Sequence, residues 1–105
     1  MNFATEIMPT VLQVVPCEDF TVEVYFSDGK ITKYDARGFV EFNHLGVNRD
    51  NFAAAMTVLN GTLAWDLEGN FDPTKCVDLD PCTLYDQPQI DQPTAAAWRY
   101  EHGAE

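Results

Sequence analysis

The sequence predicts a small α+β fold. Its centre is a largely antiparallel β-sheet that begins as an N-terminal β-meander with an Asp-Gly hairpin. One short helix packs on that sheet, and two further strands complete it. Three observations predict this: the alternation of apolar and polar residues in DFTVEVYF, the Asp28-Gly29 pair after it, and a second turn pair, Asn60-Gly61, ahead of TLAW.

In chain order, the lead-in ends at Pro9, and TVLQVV (Thr10 to Val15) is a short β-prone run. Pro16 stops it, because proline has no N–H to donate to a ladder. In DFTVEVYF, Phe20, Val22, Val24 and Phe26 share one face and Thr21, Glu23 and Tyr25 the other, the period of a half-buried strand. Asp28-Gly29 suits a two-residue type I′ turn, which needs positive φ at both central positions. Such a loop sets Phe26 opposite Ile31, Tyr25 opposite Thr32 and Glu23 opposite Tyr34, with Lys33 diagonal to Glu23.

Phe39, Val40 and Phe42 form an apolar cluster in a loop or short helical turn. NRDNFAAAM then predicts a brief helix, capped by Asn48 or Asp50 and built on Ala53 to Ala55. Asn60-Gly61 predicts a second hairpin leading into the TLAW strand, and CVDLD predicts another strand with Val77 and Leu79 on one face. PCTLYD reads as a tight turn that folds Leu84 and Tyr85 back on the core. Residues 1–86 therefore form one domain. Residues 87–105 form a C-terminal extension: two prolines and three glutamines make Asp86 to Pro93 linker-like, and Thr94 to His102, with Trp98, suits a short helix.

Charge excludes several functions. Seventeen Asp and Glu face six Lys and Arg, for a formal net charge of -11 in 105 residues. A nucleic-acid binder needs a basic stripe to displace phosphate counterions, and an anionic membrane asks for the same, so neither partner is expected. No cationic segment precedes a long apolar run, and no stretch approaches the roughly 18 apolar residues of a membrane span. Cys17, Cys76 and Cys82 are too few for a disulfide scaffold and read as reduced thiols of a cytoplasmic protein.

The segment WDLEGNFDPTKCVDLDPCTLYD, Trp65 to Asp86, concentrates the chemistry-bearing residues. Asp66, Glu68, Asn70 and Asp72 alternate as in an EF-hand loop, and with Asp78 they are the candidates for holding a divalent cation. The EF-hand pattern then fails. Counted from Asp66, position six is Phe71 rather than glycine and position twelve is Val77 rather than glutamate. An acidic connecting loop is the better reading, so no metal or other cofactor is expected. Cys76 and Cys82 stand five residues apart, too far for the usual zinc pair, and His44 and His102 form no histidine pair. Ser27 lies in the hairpin turn with no base nearby in sequence, and no Gly-rich phosphate loop is present. Asp80-Pro81 is a turn start in which the carboxylate caps the next N–H groups. Asp78 is placed to pair with Lys33 or Arg37 on a neighbouring strand. No catalytic residue emerges.

The order of these features resembles the bacterial domain-of-unknown-function family 2442. The resemblance covers about residues 8–86 and rests on Pro9, Val11, Phe26, Ser27, Asp28, Gly29, Tyr34, Asp35, Trp65, Asp78, Leu79, Asp80, Pro81, Leu84 and Tyr85. Two features depart from the family pattern: the insertion DLEGNFDPTK after Trp65 and the tail beyond Asp86. The resemblance implies a small α+β fold, no established enzymatic activity, and a partner-binding role of antitoxin-like or regulatory kind, the partner being another small protein encoded nearby. Two alternatives stand beside it: a small-ligand or divalent-cation-binding domain, and a homo-oligomer formed through exposed edge strands or the Trp98 tail.

Overall fold

The computed structural model describes residues 9–92 except 43, 71 and 73. The expected Thr94 to His102 helix lies outside the described residues. Within them the fold is α+β: two three-stranded antiparallel sheets and two short helices. The first sheet is the meander β1 (Val11–Pro16), β2 (Thr21–Phe26) and β3 (Ile31–Asp35). Helix α1 (Arg37–Glu41) and a 3-10 turn (His44–Gly46) follow. The second sheet is β4 (Met56–Leu59), β5 (Thr62–Trp65) and β6 (Val77–Asp78), and helix α2 (Pro81–Tyr85) comes after it. The strands thus divide between two sheets. β1 runs beside β4 and β5, with the Val11 N–H donating to the Gly61 carbonyl at 2.9 Å.

The core lies where the sheets and helices meet. Val11, Val22, Val24, Phe26, Val40, Val47, Phe52, Leu63, Trp65 and Leu84 are buried together. Trp65 is wholly enclosed, and its indole N–H donates to the Phe52 carbonyl at 3.0 Å, so the one polar atom of its ring is satisfied. β2 is buried on both faces, not on one. It is the central strand, its inner residues join the main core, and its Tyr25 packs against Val15 and Cys17 on the outer side.

The two Gly-containing turns differ. Asn60 and Gly61 both have positive φ (54° and 76°), and Leu59 pairs with Thr62, as a two-residue type I′ turn requires. The first hairpin corrects the expected register by one residue. Gly29 alone is left-handed there (φ 93°), its N–H closes a turn on the Phe26 carbonyl, and the Phe26 N–H donates to Lys30. Ser27, Asp28 and Gly29 therefore form a three-residue loop, a turn followed by a left-handed glycine. Tyr25 pairs with Ile31, Val24 with Thr32, Glu23 with Lys33 and Val22 with Tyr34. A one-residue slip exchanges the faces of a strand. Thr32 is accordingly buried without exposed surface, and its hydroxyl donates to the Leu84 carbonyl at 2.8 Å.

Several further elements differ from expectation. Asn48 does cap, accepting from the Asp50 and Asn51 N–H groups, yet no helix follows. The Phe52→Asn48 and Ala55→Asn51 backbone bonds close separate turns that end in β4. The helix of this region is instead α1, at the Phe39–Val40 cluster. PCTLY forms a helical turn rather than a simple reversal: Asp80 caps it by accepting from the Cys82 N–H, and Pro81 occupies its first turn, where a missing N–H costs nothing. The CVDLD strand is cut to Val77–Asp78. The linker-like stretch after Asp86 runs along the outer edge of β3. Lys33 N–H donates to Pro88 and Ile90 N–H to Ile31, so that edge is covered.

Candidate functional site

The acidic segment concentrates the candidate ligands, but its side chains are directed to local backbone. Asp66 is buried and accepts from the Gly69 N–H at 2.9 Å. Asn70 accepts from the Asp72 N–H, and Asp72 accepts from both the N–H and the hydroxyl of Thr74, which holds its carboxyl below the ordinary range. Glu68 is exposed, and Asp78 is exposed on β6 opposite Ala64. The five cation candidates therefore form no ligand set. Among the described residues, no group of three His, Cys, Asp or Glu is placed to hold a metal ion. The pairing suggested for Asp78 with Arg37 is not formed, because Arg37 makes its ion pair with Asp35. Burial pushes the Cys17 thiol up, and desolvation with the charge of Asp66 pushes Cys76 up. Both shifts disfavour the thiolate that a nucleophile or metal ligand needs.

Some of the motif residues behind the family resemblance meet in a clasp around Phe26, Asp28, Leu84 and Tyr85, whereas Asp35, Trp65 and Asp78 lie elsewhere. Tyr85 packs edge-on against Phe26 with ring centroids 4.9 Å apart, and its hydroxyl donates to Asp28 Oδ2 at 2.6 Å. The other oxygen of Asp28 accepts from the Lys30 N–H, and Lys30 Nζ lies 3.9 Å from the centre of the Tyr85 ring. The Tyr85 hydrogen bond lowers the Asp28 carboxyl and raises the Tyr85 hydroxyl. Ser27 ties in the start of β1: its N–H donates to the Thr10 carbonyl and its hydroxyl accepts from the Thr10 N–H. Pro9 lies half-buried just before β1, Leu84 is fully buried under the clasp, and Asp80 and Pro81 start the helix that carries it. These residues join α2 to the first hairpin.

A different feature is open. Phe42 and Leu45, both just beyond the C-terminal end of α1, are 77% and 63% exposed. Leu45 stands in the left-handed region (φ 54°), a conformation that a branched side chain rarely adopts. Phe42 lines an open cleft of about 520 Å³ together with Tyr34, Asp35, Gly38 and Phe39. Phe39 forms its inner wall and packs on Trp65 at 5.6 Å between ring centroids, so the cleft rests on the enclosed core. The Arg37 guanidinium grips Asp35 through two hydrogen bonds, at 2.9 and 2.6 Å, and holds its carboxyl down to about 2. Burial and the Asp35 charge push the Tyr34 hydroxyl up. A second cleft, lined by Val40, Glu41, Asn48, Arg49 and Asp50, also borders α1.

Compared with protein-family models, curated proteins and solved structures, the chain matches none of them. The sequence groups Phe39, Val40 and Phe42 in one cluster; the structure separates them. Val40 is buried, Phe39 is half-buried and Phe42 faces out.

Proposed function

We propose that this chain is a non-enzymatic protein-interaction module, antitoxin-like or regulatory, that works in the cytoplasm on the scaffold of domain-of-unknown-function family 2442. The observation that carries this reading is the outward presentation of Phe42 and Leu45 just beyond α1, with Phe42 lining an open cleft. Large apolar side chains clustered on a surface mark interaction sites, and a left-handed leucine is the kind of strained backbone that clusters where a surface is used. The convergence of Phe26, Asp28, Leu84 and Tyr85 supports the family reading, since it gives the motif a structural reason. The acidic surface would steer a basic partner and select against acidic ones.

Co-expression with the product of the adjacent gene, followed by pull-down, tests the proposal. Co-purification that is lost in the Phe42→Ser, Leu45→Ser double variant supports it. Failure of the parent chain to retain that product counts against it, as does retention that the double variant leaves unchanged.

A further inference from the structure

The outward face of the first sheet is closed to water at its centre. Direct partners in an antiparallel ladder point to the same side, so Val15, Glu23 and Lys33 form one row on this face and Gln13, Tyr25 and Ile31 the next. Glu23 has no exposed surface, Val15 and Cys17 are buried beside it, and Lys33 is half-buried. A side chain in the middle of a bare sheet face would meet water. Helix α2 lies on the opposite face, against Thr32. Among the described residues, the apolar cluster on the outward face consists of Val15, Cys17 and Tyr25, all from the first two strands and the turn between them.

The row is also acidic. Burial pushes the Cys17 thiol up, with Glu23 and Asp19 adding to the shift and Lys33 opposing it. Two carboxylates therefore stand beside one ammonium there, and a further cation suits the row.

The chain passes out of the described residues next to this face. Lys33 N–H donates to Pro88 and Ile90 N–H to Ile31, both at the outer edge of β3. Val15 lies two strands in from that edge, about 10 Å. The eight residues from Ile90 to Trp98 span about 12 Å even when helical. That stretch leads to Trp98 and Tyr100 and to Arg99, the one Lys or Arg of the chain outside the described residues. The opposite terminal stretch, MNFATEIM, carries Glu6 and no Lys or Arg, so it suits an acidic row less well.

We infer that the segment of residues 93–105 docks as a strap across the outward face of the first sheet, with Trp98 over Val15 and Cys17 and Arg99 beside Glu23 and Asp19. Docked, the strap shields the Cys17 thiol, and a partner reaches this face only by displacing it.

The test uses the full chain. Nuclear Overhauser contacts are expected between the Trp98 ring and the Val15 methyl groups. In a Cys76→Ser, Cys82→Ser background, Cys17 is the sole thiol, and its labelling by a maleimide follows the population of the open face. Trp98→Ser and Arg99→Glu should each speed that labelling at least about tenfold.

Three results would overturn the inference. One is contact of Val15 with Phe3 or Ile7 in place of Trp98, which would make the other terminal stretch the cover. Another is a Trp98–Val15 contact seen only between differently labelled copies in a mixed sample, which would make a second copy the source. The third is unchanged Cys17 labelling in either variant.

Discussion

Thr32→Val tests the register of the first hairpin, on which the placement of α2 depends. Thr32 has no exposed surface, and its hydroxyl donates to the Leu84 carbonyl at 2.8 Å, joining β3 to a helix 52 residues later in the chain. Valine has nearly the same shape, so the substitution removes the donor and little else. A buried acceptor left without its partner costs about 1–3 kcal/mol. The Leu84 carbonyl keeps a longer bond from the Gln87 N–H at 3.3 Å, which places the loss at the lower end, about 1–2 kcal/mol. For a domain of this size that is a fall in melting temperature of about 4–16 °C. Urea denaturation followed by tryptophan fluorescence should show a lower midpoint with an unchanged slope. Thr83→Val, at an exposed position of α2, should stay within about 0.5 kcal/mol of the parent. The two-residue loop would put Thr32 on the opposite face, where valine is harmless or favourable. A Thr32→Val chain as stable as its parent would therefore refute both the register and the stabilising bond.

Leu84→Ala removes a fully buried side chain from the contact of α2 with the first sheet and should cost about 2–5 kcal/mol in the same denaturation assay. Gly61→Ala should destabilise by about 1–2 kcal/mol, because φ is 76° there and the new Cβ would lie 3.3 Å from Thr10 Cγ2. Gly38→Ala meets open space in a helix and should be neutral or gain about 0.5–1 kcal/mol by thermal melt. Asp35 titrates at about 2 in the folded chain because of its hydrogen bonds to Arg37, below its unfolded value of about 3.9. Its contribution is therefore present above about pH 4 and is lost as pH falls through about 2. The pair is solvent-exposed, so the effect on stability should be small. Carboxyl carbon NMR should show the Asp35 titration moving up towards about 3.9 in Arg37→Gln.

Local patterns determined a good part of this molecule. The alternation in TVEVYF and the apolar run in TLAW mark strands because a pleated chain has period two, and Asn60-Gly61 adopts the turn its residues favour because positive φ costs least there. Asp80-Pro81 starts α2 by a cap that involves only its immediate neighbours. The same local logic fails at Asp28-Gly29, whose geometry leaves Asp28 placed to accept from both Lys30 and the Tyr85 hydroxyl, 57 residues away in sequence. It also fails at Asn48 to Met56, where good helix formers give way to turns that bring Phe52 against Trp65 and Phe20 and lead into β4.

The candidate site divides the same way. The acids of Asp66 to Asp72 were legible as turn-forming residues, because Asp66, Asn70 and Asp72 each bond backbone within three residues of themselves. The cleft beside α1 was not. It exists because Phe39 turns in onto Trp65 while Phe42 is left outside and Gly38 supplies no side chain between them. Which of two neighbouring phenylalanines is covered depends on what the rest of the chain brings to that face, and only the tertiary structure decided it.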